Sequence, residues 1–384
     1  MISRAERTPF SEWWWTIDKP LLFSLAALMV GGIVLSLAAS PAVADRLNLD
    51  LFHFVNRQVM FLIPTVLLTL GISFLDPRKV RRLALGAYLI FFPLMIFALF
   101  FGPEIKGAHR WIQIGPLGVQ PSEFVKPSFI VLAAWLFAEG TRRDDVPGHL
   151  LAMTLFGATI GVLILQPDFG QTMLIGVVWG CLFFLAGLRW IWMIGLGGLG
   201  VGGVFLAYEA LPHVRARFGK FLNPETGENF QTERAFESFV SGGWFGKGPG
   251  EGTVKRILPD AHTDFIFAVT GEEFGIIFCL ILLSLFAFVV LRGLWHALNE
   301  DEPFVRLAIA GLTMLFGLQS AINMAVNVQL MPAKGMTLPF ISYGGSSLIS
   351  LALGMGMLLA LTRRRPRARL VEGFPGAVPA GQFS

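Results

Sequence analysis

Apolar residues in this chain come in long unbroken runs. The runs show neither the strict alternation of half-buried strands nor the heptads of soluble helix pairs. Ten of them lie near 20–40, 54–75, 83–101, 120–138, 149–166, 170–188, 190–211, 264–291, 307–330 and 343–361. Each is about long enough to cross the hydrocarbon layer of a bilayer as a helix. The pattern predicts an all-α integral membrane protein, a polytopic bundle of about ten transmembrane helices. A cytoplasmic segment, 1–19, precedes it. The membrane domain runs from 20 to 361, with a large polar loop at 212–263 between the seventh and eighth spans. The fifth and sixth runs are parted only by Gln166–Gly170 (Q-P-D-F-G), which reads as a tight re-entry; another count would merge or break that pair. The first run starts late and is too long for the core of a cleaved signal peptide. Trp13, Trp14 and Trp15 just before it read as an interfacial belt.

Basic residues support ten spans and give them a direction. With the N-terminus inside the cell, Arg4, Arg7, Lys19, Arg78, Lys79, Arg81, Arg82, Arg142, Arg143, Arg189, Arg292 and Arg306 fall on the inner side. So does the tail cluster Arg363, Arg364, Arg365, Arg367 and Arg369, at the start of a basic, disordered end at 362–384. These are more than half of the 30 Lys and Arg residues. Short outer loops hold few, and long loops escape the rule. Both termini are then cytoplasmic, and the net charge of +4 is largely topological rather than a sign of nucleic acid. Composition agrees: 54% of residues are apolar and only 15% charged, and mean hydropathy is +0.65. Cys181 and Cys279 both lie inside apolar runs, so neither a disulfide framework nor a cysteine metal site is indicated.

Candidate chemistry gathers on the outer face. Leu258–Gly275 reads L-P-D-A-H-T-D-F-I-F-A-V-T-G-E-E-F-G. Asp264 stands where the chain enters the membrane, and Glu272 and Glu273 are carried further in. Capping accounts for one acid at a helix start. It does not account for two more about two turns on, and ionisable groups at that depth usually face an interior or a wet cavity. A functional role is therefore expected for the group. The loop after the third span, Lys106–Pro127, is turned by glycine and proline and offers Arg110 and Lys126 as an anion site. A local ion pair between Glu123 and Lys126 is the equal alternative. Arg215 and Arg217 form a basic cluster in the large loop. The glycines of S-G-G-W-F-G-K-G-P-G-E-G-T (Ser241–Thr253) lack the spacing and the strand-turn-helix context of a phosphate loop, and are expected to allow close packing. Gln319, Asn323 and Asn327 make one polar stripe at i, i+4, i+8, read as glue between helices. After them come Lys334 and the small residues Ser342–Ser347.

Several of these segments together resemble the SEDS family of membrane glycosyltransferases, which polymerise bacterial peptidoglycan. They are K-G-A-H-R-W with Q-P-S-E-F-V-K, Q-P-D-F-G, S-G-G-W-F-G-K-G, L-P-D-A-H-T-D-F-I-F-A with G-E-E-F-G, and K-G-M-T-L-P-F-I-S-Y-G-G-S-S. The resemblance covers roughly residues 20–361, in order. The Lys334-Gly335 pair is similar to the family's division branch, with the elongation branch as the alternative. Two positions depart from the family pattern. Asp260 stands where Glu is usual, and Phe230–Ala235 (F-Q-T-E-R-A) replaces Tyr-Gln-x-x-Gln-Ser, so no substrate role is carried onto that segment.

The resemblance implies lipid II as substrate, a class B penicillin-binding protein transpeptidase and other division proteins as partners, and a place in the inner membrane at the septum. It puts the family's essential aspartate at Asp264. Joining a sugar hydroxyl to an α-linked anomeric carbon with inversion needs a base and a way to neutralise the leaving pyrophosphate. It needs no strong acid. Asp264 suits the base, since partial desolvation moves a carboxyl pKa upward. Arg110, Lys126 and Lys334, with Arg215 and Arg217 as weaker candidates, suit the pyrophosphate. A divalent cation, Mg2+ or Mn2+, could share that task beside Asp264, although no independent ligand set is visible. His262 and Ser342 are candidates to touch sugar or phosphate. Two other classes compete: a flippase for lipid-linked precursors and a non-enzymatic division scaffold. A flippase needs its site open to both faces, whereas the unusual polar groups here gather on one.

Overall fold

The computed structural model describes residues 8–105, 107–115, 117–143, 145–187, 190–210, 230–332 and 335–364. Each of the ten expected runs coincides with one helix. They are α2 (Lys19–Arg46), α3 (His53–Ser73), α4 (Pro77–Phe101), α5 (Pro121–Arg142), α6 (Gly148–Leu165), α7 (Phe169–Leu185), α8 (Trp190–Ala210), α10 (Ile266–Leu298), α11 (Pro303–Asn327) and α12 (Gly345–Leu361). Seven of them, α2 to α6 with α10 and α11, are long and apolar enough to span a membrane on length and composition. The helices α7 and α12 are apolar but have only 17 residues, about 26 Å of rise. Two further helices lie outside the runs: α1 (Pro9–Thr16) before the bundle, and α9 (Phe230–Gly242) in the large loop. The starts follow ordinary helix chemistry. Proline stands in the first turn of α1, α2, α4, α5 and α11, where its missing N–H costs nothing. Asp18 caps α2 by accepting from the Leu21 amide at 2.9 Å.

The helix α5 lies in the middle of the bundle and is buried almost continuously from Pro121 to Ala134. It packs on α4, α6 and α11; α12 packs on α3, and α10 on α11 and α2. The loop before α5 folds into two short antiparallel hairpins, β1 (Glu104–Ile105) with β2 (Ala108–His109), and β3 (Ile112–Ile114) with β4 (Leu117–Val119). At the far end of the bundle the N-terminal segment is locked down. Asp18 accepts from Arg292 at 2.7 Å and bonds His296 at 2.8 Å. Burial alone would raise the Asp18 carboxyl, but these bonds and the Leu21 amide hold it well below the usual carboxylate range. The tryptophan trio divides. Trp15 is exposed, while Trp13 is buried, stacks on Phe74 and donates to Ser73 Oγ at 2.8 Å. It is a packing residue rather than part of an interfacial belt.

The eighth run is not one continuous helix. Gly275 sits at φ 80°, ψ 175°, and breaks α10 into a nine-residue half-helix, 266–274, and a long span, 276–298. A broken helix at membrane depth needs new partners for its backbone groups. The glycine-rich turn 242–248 supplies them. Lys247 N and Gly248 N donate to the carbonyls of Glu272 and Glu273 at 2.9 and 3.0 Å. Ile276 N and Ile277 N donate back to Gly243 O and Trp244 O at 3.0 and 3.3 Å.

Candidate active site

The functional role expected for Glu272 and Glu273 is corrected by what they touch. Both carboxylates are fully buried at the end of the half-helix. Glu272 accepts from the amides of Thr253, Val254 and Lys255 at 2.6, 2.8 and 3.0 Å. Glu273 accepts from Gly250 N at 3.0 Å and from the buried Lys255 ammonium, which also donates to Ala38 O of α2. These acids fasten the second half of the large loop onto α10 and α2.

Asp264 stands just before the half-helix and is partly exposed. Its backbone is held at both ends. Asp264 N donates to Asp260 O at 3.1 Å. Its carbonyl accepts from Asn323 Nδ2 at 2.9 Å and Asn327 Nδ2 at 3.0 Å. Asn327 also accepts from Ala268 N at 3.0 Å through Oδ1. The polar stripe of α11 joins helices as expected, through Asn327 to α10 and Gln319 to α5, and also clamps the backbone of the aspartate. The loop 335–343 lies alongside: a Cβ placed on Gly335 would stand 3.8 Å from Asp264 Oδ2. That loop is fixed by Asn323 on Met336 O at 2.6 Å, Gln319 on Thr337 O at 3.2 Å, and Gln58 of α3 on Ile341 O at 3.2 Å. Tyr343 N completes it, donating to His262 O at 3.0 Å. Asp260 adopts φ 53°, a left-handed conformation that Asp tolerates better than most residues.

His262 is buried between Phe54, at 4.4 Å between ring centroids, and Tyr343, at 5.4 Å. Burial pushes its imidazole down to about 4; Asp260 opposes the shift and Arg46 adds to it. A neutral ring cannot hold a pyrophosphate by charge. Because its folded pKa lies below the unfolded value near 6.5, its contribution to stability is complete above about pH 6.5 and is lost as pH falls toward 4. Ser342 Oγ accepts from Leu338 N at 2.8 Å and is buried, so it closes a turn. Arg46, at the end of α2 and close enough to act on His262, is a cation on this face that the motifs did not single out.

The other expected cations sit elsewhere or fall outside view. Lys334, Arg215 and Arg217 lie outside the described residues. Arg110 donates through Nε to Gln166 O at 3.0 Å and through Nη2 to Pro167 O, with Nη1 3.7 Å from Asp168. It clasps the re-entry between α6 and α7. For Lys126 the ion pair is the arrangement formed: its side chain is 3% exposed, and its ammonium donates to Glu123 at 2.9 Å and to Gln319 at 3.0 Å. Gln171 of α7 donates to the same Glu123 oxygen at 2.7 Å. Removing one partner of a buried pair strands the other charge, so Lys126→Met should lose about 3–5 kcal/mol. Glu123→Gln with Lys126→Met should recover most of that. Thermal unfolding of the purified proteins checks both, and a double variant no better than the single would refute the pairing. Among the described residues no group of three His, Cys, Asp or Glu side chains is placed to hold a metal ion. Asp264 would supply one carboxylate, and phosphate oxygens and water the rest, as is common for Mg2+.

Similarity to known proteins follows the same outline. Residues 19–366 match the FtsW/RodA/SpoVE cell cycle protein model. A probable peptidoglycan glycosyltransferase FtsW of Caulobacter vibrioides is 47% identical over 372 residues, 97% of this chain and 95% of that one. The solved structure of RodA, the rod shape determining protein of Thermus thermophilus, is 30% identical, with a TM-score of 0.66 over 91% of this chain and 97% of its own. A chain from a peptidoglycan synthase complex, solved to explain how polymerisation and crosslinking are coordinated, is also 30% identical. Its TM-score is 0.75 over 91% of this chain and 98% of that one. A match that begins with α2 and ends beyond α12, joined to near full-length identity, identifies the chain as a member of the FtsW/RodA/SpoVE family of cell cycle proteins, the SEDS family.

Proposed function

We propose that this multi-pass membrane protein is a peptidoglycan glycosyltransferase of the division type, polymerising lipid II with release of undecaprenyl pyrophosphate. The observation that carries the reading is the clamp on Asp264. The backbone carbonyl of the partly exposed Asp264 is held by Asn323 and Asn327, which seats the residue at the lip of a broken helix, beside a loop fixed at three points. Such fixation is what a base needs, since small misplacement costs large factors in rate. Asp264 takes the proton from the acceptor's 4-hydroxyl. The new bond from that oxygen to the donor's anomeric carbon forms as the bond from that carbon to the pyrophosphate breaks, with inversion. The pyrophosphate leaves as an anion. Lys334, Arg215, Arg217 and Arg46 are the cations proposed to neutralise it. Arg110 and Lys126 act through the scaffold instead. When bound, a divalent cation would supply further charge neutralisation at the phosphates. Both termini are proposed to be cytoplasmic, on the bias of basic residues toward that side, and a class B penicillin-binding protein transpeptidase is the proposed partner.

Purified protein in detergent, given labelled lipid II with and without the transpeptidase, should form a glycan ladder on a gel. Transport across two compartments cannot produce that signal. Absence of polymer from folded protein with the partner present would overturn the reading. Asn323→Ala should lower the rate of polymer formation by about tenfold or more while the Km for lipid II changes little. A rate loss that merely tracked lost folded protein would leave Asn323 a packing residue.

A further inference from the structure

At the opposite end of the bundle from Asp264, about 36 Å away along the 25-residue α11, the helices leave a cavity of about 430 Å³. That is within the roughly 300–1,000 Å³ range of ligand sites. Its walls bring together Arg78, Arg81 and Arg82 from the first turns of α4, Arg142 from the last turn of α5, and two carboxylates, Glu139 and Glu302. Four guanidiniums against two carboxylates leave an excess of two positive charges.

Topology alone does not demand this arrangement. A positive-inside bias needs basic residues on one side of the membrane, not converging on one hollow, and like charges brought together repel unless an anion sits among them. Several lining groups are already shaped. Arg81 lies over the Trp135 ring, 4.7 Å from its centroid, which fixes one guanidinium as a floor. Trp135 Nε1 reaches Glu139 at 3.4 Å, and Arg143 lies 3.7 Å from the same carboxylate. Lys79 pairs with Asp76. Arg78, Arg82 and Arg142 are exposed and stand outside the ion pairs formed among the described residues. On the helix that carries Arg82, Leu85 and Leu89 follow three and seven residues later, on the same face. Both are exposed, at 41% and 63%. The face of α4 that brings Arg82 to the basic hollow thus continues along the helix as exposed apolar side chains.

We propose that this cavity binds the phosphate headgroup of an anionic glycerophospholipid, with its acyl chains lying along Leu85 and Leu89. Arginine suits phosphate oxygens through paired N–H donors, and basic hollows between spans on the cytoplasmic side are suited to such headgroups. A free phosphate shares the headgroup chemistry but not the apolar strip, so the two sources separate by experiment.

The test is thermal unfolding of the full chain in nanodiscs of phosphatidylcholine, with phosphatidylglycerol added or with inorganic phosphate added instead. Phosphatidylglycerol should raise the unfolding midpoint by several degrees and phosphate should not. Arg78→Gln/Arg82→Gln/Arg142→Gln should lose that rise while matching wild type in phosphatidylcholine alone. Lys79→Gln/Arg306→Gln, which removes charge from the same face outside the cavity, should keep it. If the triple variant folds poorly, the exposed single changes Arg78→Gln and Arg142→Gln should each lose part of the rise. An equal rise in the arginine variants and wild type would overturn the site. An equal rise with inorganic phosphate would overturn the lipid assignment.

Discussion

Asp264→Asn should reduce glycan polymerisation by about 10²–10⁴-fold, the range that loss of a positioned general base produces, while the protein reaches the membrane at normal levels. The two halves of that expectation have separate causes. Asparagine has nearly the size of aspartate but cannot accept the hydroxyl proton. The bonds from residue 264 to Asp260 O, Asn323 and Asn327 run through its backbone, and asparagine keeps these three. Polymer gels on equal amounts of purified protein, with blots of membrane fractions, check both halves. Normal polymer from the variant would move the base elsewhere. Joint loss of polymer and protein would make Asp264 a folding residue.

Gly275→Ala should be among the most damaging single changes to folding in the described structure. At φ 80° and ψ 175° the backbone is in a region that essentially only glycine adopts. A Cβ there would stand 2.3 Å from Trp244 O and 2.5 Å from Gly246 N. Relief requires the turn 242–248 to withdraw, and with it the four backbone bonds that bridge the break. Each is worth about 0.5–1.5 kcal/mol net, and the strain adds about 1–3 kcal/mol. Together these rival the whole stability of an ordinary domain, about 5–15 kcal/mol. Gly157→Ala in α6, where an added Cβ meets nothing within 4 Å, should be neutral or mildly stabilising. Monodisperse yield and unfolding temperature, compared between the two, check the claim. A Gly275→Ala protein as stable as Gly157→Ala would mean that the break is not required.

These two residues mark where the sequence could and could not be read. Ten helices were visible because long apolar runs mark them, and each run falls on one helical element of the bundle. The same measure is blind inside the eighth run. The run from Phe265 to Leu291 continues past Gly275 despite Glu272 and Glu273, so a half-helix and a full span read as one. The break shows only in the glycine-rich turn 242–248 that answers it, and glycine there is equally consistent with any tight turn. Buried polar pairings hid for a related reason. Lys126 and Gln319 are 193 residues apart, and nothing local marks them as partners. Glu272 and Glu273 stood out by depth, but their work is to hold loop amides rather than substrate. Asp264 could be picked out from its place at a polar-to-apolar border. Its clamp was half-visible: the stripe of α11 was evident as a stripe, and its target only as a fold.

The dependence of polymerisation rate on pH tests the central claim, that Asp264 is the base, most directly. It should be measured at saturating lipid II for wild type, Asp264→Glu and Asp264→Asn. Wild type should show a rate that falls on the acid side as one carboxylate takes up a proton. Asp264→Glu should keep that fall at a displaced midpoint, and the residual rate of Asp264→Asn should lack it. An acid limb of the same midpoint in all three proteins would contradict the account, because the titrating base would then be another group.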